Sequence, residues 1–209
     1  MIRLFLTRHG QTQWNVEKRF QGSLDSALTE LGVKQAKLLR DRLAHEKFDI
    51  IYSSHLNRAY KTAEIIKGNR EIEIIKDENL AEMRLGKWEG LKHDEIMENY
   101  SKEYELFWNK PHLYKPSTGE GYNELEKRVI GCLKGIIEEN DGKNVLIVSH
   151  TVVVKQIMAY FENRPLEKLW DLPFIYPTSL SLVEIDNDIV EIKMHADISH
   201  FENSMKVNC

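Results

Sequence analysis

The sequence predicts an α/β fold: a three-layer α/β/α sandwich on a mostly parallel sheet that contains an antiparallel strand. Three observations lead there. Short apolar runs alternate with helical patterns through most of the 209 residues, the order that builds βαβ units. The runs starting at Ile2 and Asn144 are continuous rather than alternating, as in strands buried on both faces. Two late runs, Ser179–Ile185 and Ile189–Met194, are separated only by Asp186-Asn187-Asp188, a hairpin signal that supplies an antiparallel member.

In chain order, the first strand starts at Ile2 and ends at Thr7 or Arg8, and Gly10 lets the backbone turn away. Thr29 caps a helix marked by Ala36, Leu39 and Leu43, which ends near His45. Phe48–Ser54 forms the second strand and feeds a helix from Leu56 to Lys67, with Arg58 in its first turn. A third strand spans Ile72–Ile75, before a loop carrying Glu82, Gly86 and Gly90. Residues 94–109 read as helical and aromatic-rich. Pro111, Pro116 and Gly119 mark an irregular connection to a long amphipathic helix, Tyr122–Glu139. Asp141-Gly142 turns the chain into the clearest strand, Asn144–Ser149, which delivers His150 to a helix from Val152 to Phe161.

Composition bounds the partners. One domain, 1–209, with a helical insertion at about 86–120, suits this length and 42% hydrophobic content. A net charge of −4 gives no broad positive field, so no nucleic-acid partner is expected. Cys132 lies in a helical pattern and Cys209 is the last residue, an arrangement that suits neither a disulfide framework nor a cysteine metal site. Without eighteen consecutive apolar residues, or a basic leader before an apolar segment and cleavage site, no membrane partner is expected and a cytoplasmic location is. A zinc-hydrolase pattern such as His-Glu-x-x-His is absent.

Arg8 and His9 follow the first strand, Arg58 the second and His150 the fourth, so parallel strands bring two guanidiniums and two imidazoles to one sheet edge. Guanidinium forks match phosphate oxygens, and imidazole can act as a nucleophile or an acid. Such a cluster is an anion site with a nucleophile in it. The aromatic residues Trp88, Tyr100, Tyr104, Phe107, Trp108 and Tyr114 read as core packing, with one or two touching substrate. Of the other histidines, His93 and His112 stand nearest the expected pocket mouth. The charged stretches around Glu98–Glu105 and Glu120–Arg128 read as solvated helix faces.

Leu6-Thr7-Arg8-His9-Gly10-Gln11-Thr12 with Asn15, Tyr52-Ser53-Ser54 leading to Arg58, Leu80-Ala81-Glu82 before Gly86 and Trp88-Glu89-Gly90, and Val148-Ser149-His150 together resemble the histidine phosphatase superfamily, which includes cofactor-dependent phosphoglycerate mutases. The resemblance spans nearly the whole chain and implies a phosphoglycerate mutase-like fold. Phe20-Gln21-Gly22 and the tail from Pro165 through Trp170 to His200 are most similar to the bacterial broad-specificity phosphatase branch.

The resemblance implies a metal-independent phosphomonoesterase, without a cofactor, that hydrolyses small phosphorylated metabolites through phosphohistidine. His9 would be the nucleophile, and Glu82 the proton donor and later the base. His150, Arg8, Arg58 and Asn15 would hold the phosphate, and Gln21, Gly22 and Thr151 would line the substrate site. Thr151 stands where many relatives have Gly, which bears on substrate breadth. The alternatives are an α-ribazole phosphatase, a phosphoglycerate mutase, or a catalytically inactive phosphate-binding regulatory module; completeness of the His9, Glu82 and His150 set argues against the last. The segment between Glu82 and His150 lacks the longer insertion of the mutases. A monomer or homodimer is expected.

Overall fold

The computed structural model describes residues 1–187, 189–202 and 205; Asp188 of the hairpin turn and Cys209 lie outside these. The strands are β1 (Ile2–Arg8), β2 (Ile50–Ser54), β3 (Ile74–Asp77), β4 (Asn144–Ser149), β5 (Leu180–Asp186) and β6 (Ile189–Asp197). The helices are α1 (Gln13–Val16), α2 (Glu30–Arg42), α3 (Asn57–Lys67), α4 (His93–Asn99), α5 (Ser101–Asn109), α6 (Tyr122–Glu139) and α7 (Thr151–Glu162).

The sheet order is β3-β2-β4-β1-β5-β6, with β1 to β4 mutually parallel and β5 antiparallel to both neighbours. Alternation along each strand sends side chains to two cores. Leu4, Leu6, Val145 and Ile147 join the core that includes residues of α6 and α7, whereas Phe5, Leu146 and Val148 join the core that includes Leu39 of α2 and Ala59, Ala63 and Ile66 of α3. The expected three layers result.

Thr29 caps α2 by accepting the Gly32 N–H. Three local features differ from expectation. The 94–109 pattern is two helices, because Tyr100 leaves helical geometry with φ −136° and ψ 37°. β3 begins at Ile74 rather than Ile72. The single-turn helix α1 is too short to show an apolar period; its signature is a capping box in which Thr12 and Asn15 satisfy each other's backbone N–H groups. No helix among the described residues is long and apolar enough to cross a membrane.

Pairing of Arg8 with Ser149 in register places His9 beside His150 just beyond the sheet. The His9 N–H donates to the Ser149 carbonyl at 2.9 Å, extending the ladder by one bond. At Gly10 a Cβ would stand 2.5 Å from the Gly32 carbonyl oxygen, so the turn out of β1 requires glycine.

Candidate active site

At the carboxyl edge of the sheet a cavity of about 270 Å³ is lined by Arg8, His9, Asn15, Gln21, Gly22, Arg58, Glu82 and Thr151, eight of the nine site residues expected from sequence. His150, the ninth, is fully buried behind them. Its ring stands edge-on to that of His9, with centroids 5.2 Å apart and planes at 61°.

His9 Nδ1 lies 2.8 Å from the Gly10 carbonyl oxygen. A carbonyl only accepts, so Nδ1 carries the proton and the lone pair of the neutral ring is on Nε2. Burial, and then the charges of Arg58 and Arg8, hold the His9 pKa well below the usual histidine value. The same causes in the same order, with His9 itself contributing, lower that of His150. Both rings are therefore neutral near pH 7.

Arg58, in the first turn of α3, is buried, and three of its five N–H donors are committed to the loop before α2. Nη1 donates to the Leu24 carbonyl at 2.7 Å and to Asp25 Oδ1 at 3.1 Å, and Nη2 donates to the Gly22 carbonyl at 2.8 Å. One Nη2 proton and Nε–H remain; Nε has no partner among the described residues. Arg8 is anchored by an Nη1 bond to the Ile175 carbonyl at 2.9 Å. Asn15 accepts from the Thr12 N–H and hydroxyl through Oδ1, which turns its amide nitrogen into the end suited to an anion.

Glu82 is half-buried and accepts from its neighbour Met83 N–H at 2.9 Å and from Val152 N–H, in the first turn of α7, at 3.3 Å. Burial raises its pKa against the lowering effect of those bonds and of Arg58 and Arg8. It is the one carboxylic acid lining the cavity among the described residues. Its loop is fixed from behind: Arg128 donates to the carbonyls of Asn79, Ala81 and Glu82 and to both carboxylate oxygens of Glu120. Glu124, Glu126 and Lys127 form the solvated face expected from the charge pattern, but Glu120, only 1% exposed, and the half-buried Arg128 turn away from it. Burial works against the Glu120 charge, but the Arg128 bonds hold its pKa below the usual range.

The remaining lining is mostly apolar, with Phe20, Leu85, Phe107, Trp108, Val152, Trp170 and Phe174, and Arg19 and His93 beside them. Phe107 and Trp108 are the two residues of the aromatic segment that reach the cavity, whereas Trp88 and Tyr114 pack in the core. His93 lies at the cavity, as expected. His112 does not; it lines a separate surface depression with Pro111 and Tyr114.

The family model of the histidine phosphatase superfamily (branch 1) matches residues 4–198. The chain belongs to the histidine phosphatase superfamily. Phosphoserine phosphatase 1 of Hydrogenobacter thermophilus is 36% identical over 170 residues, covering 81% of each chain. The adenosylcobalamin/α-ribazole phosphatase of Escherichia coli is 31% identical over 169 residues, covering 81% of this chain and 83% of that one. YhfR of Bacillus stearothermophilus superposes with a TM-score of 0.94 at 43% identity, covering 97% of this chain and all of that one. This histidine phosphatase is an α/β phosphomonoesterase.

Sequence reasoning missed two supports of its site. Asp25 holds the Arg58 guanidinium and accepts the N–H groups of Asn57 and Arg58 at the start of α3. Glu89 joins the two pocket loops by accepting from Ser23 and from the Leu85 N–H. Asp25 lies 33 residues from Arg58 in sequence, and no local pattern announces such a contact.

Proposed function

We propose that the enzyme hydrolyses phosphomonoesters of small metabolites in two in-line steps through phosphohistidine on His9. In the first, His9 Nε2 attacks phosphorus, the bond to the ester oxygen breaks, and Glu82 gives that oxygen its proton. In the second, Glu82 takes a proton from water, which attacks phosphorus, breaks the P–N bond and releases inorganic phosphate. Arg8 and Arg58 neutralise the phosphoryl oxygens while Asn15 and the neutral His150 donate hydrogen bonds to them, the main requirement of a transition state with little covalent assistance. Gln21, Gly22 and Thr151 complete the walls. The observation that carries the reading is the His9–Gly10 bond, which leaves a neutral Nε2 as the nucleophile beside two arginines.

The leaving group lies among Phe20, Phe107, Trp108, Trp170 and Phe174, which supports breadth toward alcohols with apolar or aromatic bodies. The segment 86–120 acts as a cap; among the described residues it contributes His93, Phe107 and Trp108 to the cavity and no lysine or arginine. A mutase must retain a second phosphate there, so this composition supports hydrolysis. Phosphoserine and α-ribazole phosphate, named by relatives, are test substrates. The deciding experiment is a hydrolysis screen over these, 3-phosphoglycerate and aryl phosphates, in EDTA, with mutase assays in the presence and absence of 2,3-bisphosphoglycerate. EDTA-insensitive, vanadate-inhibited hydrolysis is expected; phosphoryl transfer between the hydroxyls of phosphoglycerate outpacing hydrolysis would overturn the reading.

A further inference from the structure

We propose that Ser54 is a positioning residue that fixes the tautomer of His150, so that His150 presents Nδ1–H as a donor to the phosphoryl group; this rests on the reading of His9 as the phosphorylated residue. Ser54 ends β2 beside β4, where Ser53 pairs with Val148, and its side chain is fully buried. Its Oγ lies 2.8 Å from His150 Nε2 and accepts the Leu56 N–H at 3.2 Å.

Proton accounting selects one arrangement. A hydroxyl has one proton to give, and Nε2 is the acceptor within reach of Ser54 among the described residues. If Oγ–H donates to Nε2, the hydroxyl proton and an imidazole lone pair are both satisfied, and the ring proton is on Nδ1. The reverse tautomer would leave the Ser54 proton without an acceptor and turn a lone pair toward an anion. Nδ1 is buried and has no partner among the described residues. An unsatisfied buried group is unfavourable in the free enzyme, and a phosphoryl oxygen would relieve that deficit. His150 stands edge-on to His9, beside the ring that carries the phosphoryl group in the proposed intermediate.

Two measurements test this. In the native enzyme labelled with ¹⁵N-histidine, long-range ¹H–¹⁵N correlations should show a protonated, pyrrole-like Nδ1 and a pyridine-like Nε2 for His150, without and with inorganic phosphate. The opposite assignment in the free enzyme would overturn the proposal, whatever any variant does. Ser54→Ala should lower kcat/KM for aryl phosphates and the affinity for vanadate by roughly 10- to 100-fold, the scale seen when the outer hydrogen-bond partner of a metal-ligating histidine is removed. His150→Ala and the Ser54→Ala/His150→Ala double variant should then be equally impaired in vanadate affinity, because the contribution of Ser54 to anion binding runs through His150, while loss of the Leu56 N–H bond is read separately as a change in stability. Losses that multiply in the double variant would mean a general structural role and reject the proposal. The phosphohistidine reading is judged separately, by phosphate incorporation at His9, which these outcomes leave untouched.

Discussion

His9 Nδ1 donates to the carbonyl oxygen of its own neighbour, Gly10, over 2.8 Å. The contact needs no other part of the fold, yet it decides which ring nitrogen keeps the lone pair. Gly10 in turn is held by the Thr62 hydroxyl, which accepts its N–H at 3.0 Å and donates to the Arg58 carbonyl at 2.7 Å. The proposed nucleophile and one arginine of the proposed phosphate clamp are thereby tied together through one buried threonine.

Stability should depend on pH through these buried groups. The unfolded chain binds protons at histidine near the ordinary 6.5, whereas folded His9 and His150 resist protonation. The folded state therefore loses stability as pH falls below that value, by up to about 1.4 kcal/mol per pH unit for each histidine. Glu82 has the opposite sign: folded, it keeps a proton that the unfolded carboxyl releases near 4.5, so its contribution is lost as pH rises from there through the raised folded pKa. Urea denaturation at pH 5.5 and 7.0 should show lower stability at 5.5. In the pH range just above 4.5, where the raised folded pKa makes Glu82 oppose the histidines, Glu82→Gln should lose stability more steeply with falling pH than the wild type; an unchanged or shallower loss there would contradict the assignment.

Leaving-group chemistry tests Glu82 directly. An alkyl alcohol leaves poorly without a proton, but p-nitrophenolate leaves well. In single-turnover phosphorylation, Glu82→Gln should lose roughly 10²-fold or more with alkyl phosphates and far less with p-nitrophenyl phosphate. Equal losses would remove Glu82 from the role. Neither Glu89 nor Glu120 lines the cavity to replace it.

Asp25 should prove as informative as the arginine it holds. Arg58→Ala removes a phosphate contact outright and should be severely impaired while folded. Asp25→Ala keeps the guanidinium but releases one of its anchors, so vanadate affinity should fall by roughly tenfold, about 1.4 kcal/mol, with phosphohistidine still formed. Wild-type affinity in Asp25→Ala would show that the Leu24 and Gly22 carbonyls suffice.

The apolar wall predicts selectivity. Phe174, at 46% exposure, stands at the mouth. Phe174→Ala should raise KM for naphthyl phosphate several-fold and leave KM for a short alkyl phosphate within about twofold, since about 25 cal/mol per Å² of apolar contact is lost only with the larger group. Equal changes would place the leaving group elsewhere.

Much of this site was readable because Leu4–Leu6 of β1 and Val145–Val148 of β4 are buried on both faces and so appear as apolar runs, which marks where Arg8, His9 and His150 emerge. Glu82 sits on a loop without periodicity and was reached only by resemblance. The Glu120–Arg128 pair was misread because charge on a helix normally means solvent, and only the tertiary fold lays the Glu82 loop across it. Phe174 and Trp170 come from a late irregular segment, where a lone aromatic carries no positional signal. Ser54 and Asp25 act through hydrogen bonds to residues 96 and 33 positions away, beyond any local pattern.

In the proposed reaction His9 carries the phosphoryl group. Enzyme mixed with ³²P-labelled phosphomonoester and quenched during turnover should retain label that is stable to base and lost in acid, mapping to the peptide containing His9. His9→Ala should abolish both label and turnover. Label persisting in His9→Ala, or turnover without any label in the wild type under single-turnover conditions, would contradict the account.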